Sequence, residues 1–341
     1  MLLKHKLVKP FTNLTKQERF LQLLRLSSSC FAIVFCLTLL VGPIFNNNLY
    51  ITRINCAHLD VSKGLYNSLR NSVGVAPSIL EDSDTECIPV GSSLTNSEIK
   101  LLSEYAEAQV VGAPQYCTTS IWKWCYGNYQ SRKTTNSKGK TITIKENEVL
   151  TCFKKKEHAF DYRSQLEDMQ LDSILAYAYQ GQDMKNSKYD QDIIQRNHRL
   201  KLALNGIIFT CCAQLMILCA ALIIYSNRGK NERDLSKIPN ITLHGLALVS
   251  VMACCSSIIA SALITNLLMI SEKEVGSELK NFGVFFTRGA TWFTLLWLSS
   301  VCCVLTMAGW ALPMWCANPS EEKHRHRLDD SILIGKYTQY F

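Results

Sequence analysis

The chain has 341 residues, 48% of them apolar and 19% charged, with a formal net charge of +8. A mean hydropathy of +0.04 excludes a protein buried throughout in lipid, because much of the sequence is polar. The positive charge does not call for nucleic acid, since it collects in segments that flank apolar stretches.

A helix needs about 20 mostly apolar residues to cross the hydrocarbon core. In chain order, a basic leader (1–25) precedes a first span at 26–45, and a long polar segment (46–201) precedes a second at 202–225. A basic connection (226–242), a third span (243–270), a short segment (271–289), a fourth span (290–312) and a tail (313–341) follow. No Asp, Glu, Lys or Arg lies inside any span. A charge at the bilayer centre would cost at least about 2.5–3.5 kcal/mol. These segments are apolar nearly all round, whereas a soluble surface helix shows one apolar stripe. The first reads as a signal anchor rather than a cleaved signal peptide. Its leader is long, and no A-x-A-like site follows Phe45.

Basic residues set the expected orientation. Lys4, Lys6, Lys9, Lys16, Arg19 and Arg25 occupy the leader, Arg228, Lys230, Arg233 and Lys237 the 226–242 connection, and Lys323, Arg325, Arg327 and Lys336 the tail. Both termini are then cytosolic, with 46–201 and 271–289 outside. The sequons at Asn13 and Asn240 fall on the cytosolic side, where they would be silent. The basic flanks suit contact with anionic lipid.

The outer segment is domain-sized. Asn46-Asn47-Asn48 breaks the first span, and Glu81 to Glu86 is acidic. Asp82, Asp84 and Glu86 alternate like the first ligands of a calcium loop, but Cys87 stands where its Gly belongs and Ser93 where its Glu belongs, so a solvated loop is expected. Thr95 and Glu98 have capping-box spacing, and Ile99, Leu102 and Ala106 continue a helix that Gly112 and Pro114 stop. An aromatic run, Ser120-Ile121-Trp122-Lys123-Trp124-Cys125-Tyr126-Gly127, comes next. Ser137 to Lys140 reads as a turn. Thr141 to Ile144 alternates like a strand, with Val149 to Phe153 as its hairpin partner. Gln165 to Tyr179 is helical in pattern, and Tyr189 to Leu202 runs as a helix into the second span.

Fifteen cysteines form two populations. Cys56, Cys87, Cys117, Cys125 and Cys152 lie in the outer segment, where disulfides persist. Their odd number leaves at least one outside any intrachain bond. Cys117 with Cys125 is the favoured pair, because the two flank one short aromatic segment. Cys125 with Cys152 is the alternative, tying that segment to the hairpin. In the spans, Cys211-Cys212, Cys254-Cys255 and Cys302-Cys303 read as small packing residues rather than a metal centre. Cys316, just before the basic tail, is a palmitoylation candidate.

No G-x-S-x-G, P-loop, H-E-x-x-H or C-x-x-C pattern occurs, and the His residues are scattered apart from the His324/His326 pair in the tail. Neither catalysis nor a cofactor or metal is expected. Apart from Ser and Thr, Asn205, Gln214, His244 and Asn266 are the main polar groups of the spans, a thin lining for a pore. Ser256, Ser257, Ala260, Ser261 and Ala262 suit close helix contact in the third span.

Four spans, cytosolic termini, a large first outer loop and a short second one together resemble the claudin-like superfamily. Claudins carry Gly-Leu-Trp followed by two disulfide-bonded cysteines in the first loop. Trp122, Trp124, Gly127, Cys125 and Cys152 stand in that region here, without the Gly-Leu-Trp order and with a wider cysteine gap. Ile54-Asn55-Cys56-Ala57-His58-Leu59 and Gly112-Ala113-Pro114-Gln115-Tyr116-Cys117 resemble the fungal branch that holds PalI-type, eisosome-associated, Fig and Ecm proteins, the Ecm type most closely. The resemblance implies an all-α transmembrane four-helix bundle with a large extracellular α+β loop domain. It also implies a non-enzymatic plasma-membrane protein that regulates calcium influx and cell-wall or membrane organisation. Its expected partners are membrane lipids, other membrane proteins such as a calcium channel, and further copies of itself. An ion channel or transporter subunit is the alternative.

Overall fold

The computed structural model describes residues 16–61, 63–64, 101, 104–105, 107–108, 110, 112–135, 141–154, 160–179, 187–226 and 240–316. Helix α1 (Lys16–Phe45) leads to strand β1 (Thr52–Asn55). Strands β2 (Tyr116–Thr119), β3 (Lys123–Thr135) and β4 (Thr141–Lys154) follow, then short helices α2 (Tyr162–Asp168) and α3 (Asp172–Ala178). Helices α4 (Ser187–Ser226) and α5 (Asn240–Glu278), strand β5 (Phe285–Arg288) and helix α6 (Ala290–Ala311) complete the described chain.

The chain is an integral membrane protein with four packed apolar helices. Helices α1, α4, α5 and α6 each hold a stretch long and apolar enough to span a bilayer, and only 33% to 44% of each apolar window is buried within the protein. Exposed side chains such as Leu37, Met216, Ile259 and Val301 need lipid around them.

Two compact units share these helices. One, Met1–Ile33 with Phe209–Ser257 and Ser299–Phe341, is helical where described. Polar side chains hold its helices together. Ser28 Oγ and Thr306 Oγ1 are 2.8 Å apart, Ser257 Oγ and Ser300 Oγ are 2.9 Å apart, and Thr210 donates to Ala253 O at 3.4 Å. Arg25 is buried, donates to Gly309 O at 2.7 Å and lies 4.4 Å over Trp310. A Cβ on Gly309 would come within 2.9 Å of the Arg25 stem, so glycine allows that approach.

The other unit, Val34–Ile208 with Ile258–Leu298, contains a five-stranded sheet in the order β4-β3-β2-β1-β5, every neighbouring pair antiparallel. Ile54, Cys117 and Trp124 on one face pack on Leu166, Leu171, Ile174 and Leu175 from the short helices and on Val275, Leu279 and Phe282 beyond the third span.

Three expectations change here. Thr141–Ile144 and Val149–Phe153 do not pair with each other; both belong to β4, whose partner is β3. Residues 145–148 contain no Gly or Pro to reverse the chain, so the strand runs on. The helix expected over 165–179 is broken at Met169–Leu171, with Gln170 at φ 61°. The break brings Leu166, Met169, Leu171 and Ile174 together into the core. The segment 271–289 is not a short loop. Helix α5 continues to Glu278 because Val275 and Leu279 carry its apolar spacing into the core, and β5 then joins the sheet beside β1. The acidic stretch 81–86, Cys87, the capping-box residues Thr95 and Glu98, and the turn 137–140 lie outside the described residues.

Gly283, at φ 78°, turns the chain from α5 into β5, and a Cβ there would collide with His58 O. Gly283→Ala should destabilise the protein by about 2 kcal/mol or more, read as a lower thermal midpoint in detergent.

Candidate functional site

The sheet-bearing unit gathers its polar chemistry at two places. The first is the end of α1. Pro43 has no N–H, so Leu39 O loses its usual helical donor. Trp292 Nε1 donates to that carbonyl at 3.3 Å. Trp122 Nε1 donates to the next one, Leu40 O, at 2.6 Å, and Lys123 Nζ reaches Ile44 O at 3.3 Å. Lys123 also donates to Asn47 Oδ1 at 2.5 Å, and the Asn48 N–H to Asn46 Oδ1 at 2.9 Å, closing a turn that stops the helix. The aromatic run thus supplies side-chain donors near the end of the first span, Lys123 to one of its last four carbonyls and Trp122 to one a turn earlier.

The second is the end of α5. Glu272, Glu274 and Glu278 face the negative end of the helix dipole, an unfavourable place for carboxylates. Each is matched by a cation from another element. Arg288 of β5 donates Nε to Glu272 at 2.8 Å. Arg196 of α4 binds Glu274 with both guanidinium ends, one at 2.7 Å. Glu278 accepts from Tyr162 at 2.5 Å and from Tyr179, with Arg163 at 3.6 Å. Arg163 lies 3.9 Å from the ring centres of Tyr179 and Tyr189. Burial first, then the Glu278 carboxylate, pushes the Tyr162 hydroxyl well above its ordinary value; burial also heads the causes of the rise at Tyr179. Both stay protonated as donors.

The cysteines divide by sheet face. Cys125 and Cys152 are direct cross-strand partners, 4.1 Å apart at Cα, and form a disulfide. The favoured Cys117–Cys125 pair is corrected by the register. Cys125 opposes Thr118 while Cys117 opposes Tyr126, so the two point to opposite faces. Cys117 is buried, its thiol 3.7 Å from Gln165 Oε1. Cys56 is buried too, and burial pushes its thiol up to about 12. Trp124 stacks on Phe153 at 4.8 Å. Gly127 sits at a register shift where a Cβ would collide with Glu148 O, which demands glycine. Cys316 ends a π-helical turn, Leu312–Cys316.

In the spans, Cys254, Cys302 and Cys303 are buried whereas Cys212 and Cys255 are exposed, so the adjacent pairs do not all converge on one centre. Among the described residues no three His, Cys, Asp or Glu side chains are arranged to hold a metal. Gln214 is buried and donates to Cys303 Sγ at 3.5 Å, whereas Asn205 and Asn266 are exposed. The sequence reading did not single out Glu272, Glu274, Glu278, Arg163, Arg196 or Pro43. Three acids within seven residues at the end of a span were the available signal.

Residues 21–309 match the model of the SUR7/PalI family. Protein ECM7 of Saccharomyces cerevisiae is 28% identical over 333 residues, covering 96% of this chain and 72% of the relative. No solved structure is a significant match.

Peptide mapping without reduction should join Cys125 to Cys152, and Cys125→Ser should lower stability by about 2–4 kcal/mol; a Cys117–Cys125 peptide would contradict the register. Because the folded state holds the Cys56 proton more tightly than the unfolded chain, stability should be insensitive to this group below pH 9.0 and fall from there toward pH 12. The slope is at most about 1.4 kcal/mol per pH unit. Thermal midpoints from pH 7.5 to 10 should fall less steeply in Cys56→Ala.

Proposed function

The chain belongs to the SUR7/PalI family, and from that premise we propose that it is a non-enzymatic regulator of calcium influx and of cell-wall or membrane organisation at the plasma membrane. Its termini are cytosolic, and its sheet-bearing unit is the extracellular interaction module. Its partners are membrane lipids, other membrane proteins including a calcium channel, and further copies of itself. Similarity to Protein ECM7 over nearly the whole chain supports this reading, together with the Ile54–Leu59 and Gly112–Cys117 segments that carry the Ecm-type resemblance.

The observation that carries a regulatory rather than a conducting role is where the polar groups of the spans go. Ser28, Thr306, Ser257, Ser300 and Thr210 hydrogen-bond between helices, which is how polar side chains join helices in lipid. A pore would instead turn such groups toward a water-filled path.

Cytosolic calcium uptake should fall in cells that lack the gene, and fall similarly with Cys125→Ser at matched surface level. Uptake unchanged by deletion would remove the calcium role and leave membrane organisation. Ion flux through liposomes holding the purified protein alone would overturn the regulatory reading in favour of a channel.

A further inference from the structure

The sheet face opposite the helical core borders a cavity of about 280 Å³, lined by Phe45, Asn46, Asn47, Asn48, Tyr50 and Tyr116 among others. Phe45 is the last residue of α1 and is 84% exposed. The cavity therefore lies where the first span leaves the apolar layer, within reach of a molecule still seated in the bilayer.

Its polar groups are biased toward donors. Asn46 Oδ1 is taken by the Asn48 N–H, and Asn47 Oδ1 by Lys123 Nζ. Both of those partners can only donate, which fixes the two amides with their NH2 groups left for a ligand. The Tyr116 hydroxyl is buried and makes no hydrogen bond, a group that calls for a partner. Arg53 lies 4.4 Å over the Tyr116 ring and 5.7 Å over the Tyr50 ring. Among the described residues it and Lys123 stand against Glu148, whose carboxylate accepts from the Gln130 amide at 2.6 Å. Donors beside excess positive charge suit an acceptor-rich anion.

We propose that this cavity binds the phosphate-bearing headgroup of a membrane lipid through the Asn46 and Asn47 amides and the Tyr116 hydroxyl, with Arg53 and Lys123 supplying the charge. The site stands apart from the calcium role and does not rest on it.

The full-length chain, in an uncharged detergent without sugar groups, is titrated by calorimetry with dihexanoyl phosphatidic acid, dihexanoylglycerol, inorganic phosphate and sucrose. Phosphatidic acid should bind tightest. Tyr116→Phe deletes only the unbonded hydroxyl, so its thermal midpoint without ligand should match or exceed that of the parent while affinity drops about tenfold. Asn46→Asp keeps the acceptor for the Asn48 N–H but replaces the donor with a negative charge, and should weaken binding as well. Inorganic phosphate binding as tightly as the lipid would overturn the lipid source. Dihexanoylglycerol or sucrose binding as tightly would overturn the phosphate chemistry. Absent binding, or binding unaltered in both variants, would overturn the site.

Discussion

A helix that leaves a membrane must still place its final charges, and in α5 those charges have the wrong sign for their end of the helix. Glu272, Glu274 and Glu278 sit where the backbone dipole is already negative. They are tolerated because Arg288, Arg196 and Arg163 arrive from a strand, a span and a loop helix. Each pairing reports that a different element is in place. Removing Glu274 would strand the buried Arg196 charge, which costs more than the pair contributes, whereas the more exposed Arg288–Glu272 pair adds little. Strand β5, the start of α4 and helices α2 and α3 therefore all meet at this single helix end.

The end of α1 has a complementary problem. Pro43 leaves a carbonyl without its helical donor inside a region where water is scarce. Two tryptophans and a lysine, distant in sequence, provide donors for Leu39 O, Leu40 O and Ile44 O. One of them, Trp122, stands three residues before Cys125, so the disulfide that locks β3 to β4 also steadies the strand that caps the span. Loop and membrane helix are coupled by hydrogen bonds rather than by chain connectivity alone.

The helices carry another kind of polar chemistry. Lipid offers no partner for a hydroxyl, so Ser28, Ser257, Ser300, Thr210 and Thr306 bond to neighbouring helices. Arg25, placed by sequence at the edge of the leader, is buried against Gly309 and Trp310. A charge outside the apolar stretch in sequence can thus be drawn inside the helix packing by a carbonyl and an aromatic face.

That four segments are long and apolar enough to cross a bilayer was legible in the sequence, because a bilayer reads apolar length and absence of charge, both local properties. The strand character of Thr141–Ile144 and the helix running into the second span were legible for the same reason: period and residue type show there. Tertiary structure decided what depended on sheet register and on distant partners. Whether Cys125 meets Cys117 or Cys152 turns on which face of a strand each occupies, and spacing along the chain does not reveal that. The true partner of β4, the break at Gln170 and the conversion of 271–289 into helix and strand all follow from burial against segments far away in sequence. The acid row of α5 is plain to see as three letters E. Only the folded chain shows that arginines from three other elements make it a junction, because Coulomb pairing depends on distance in space and not on position in the chain.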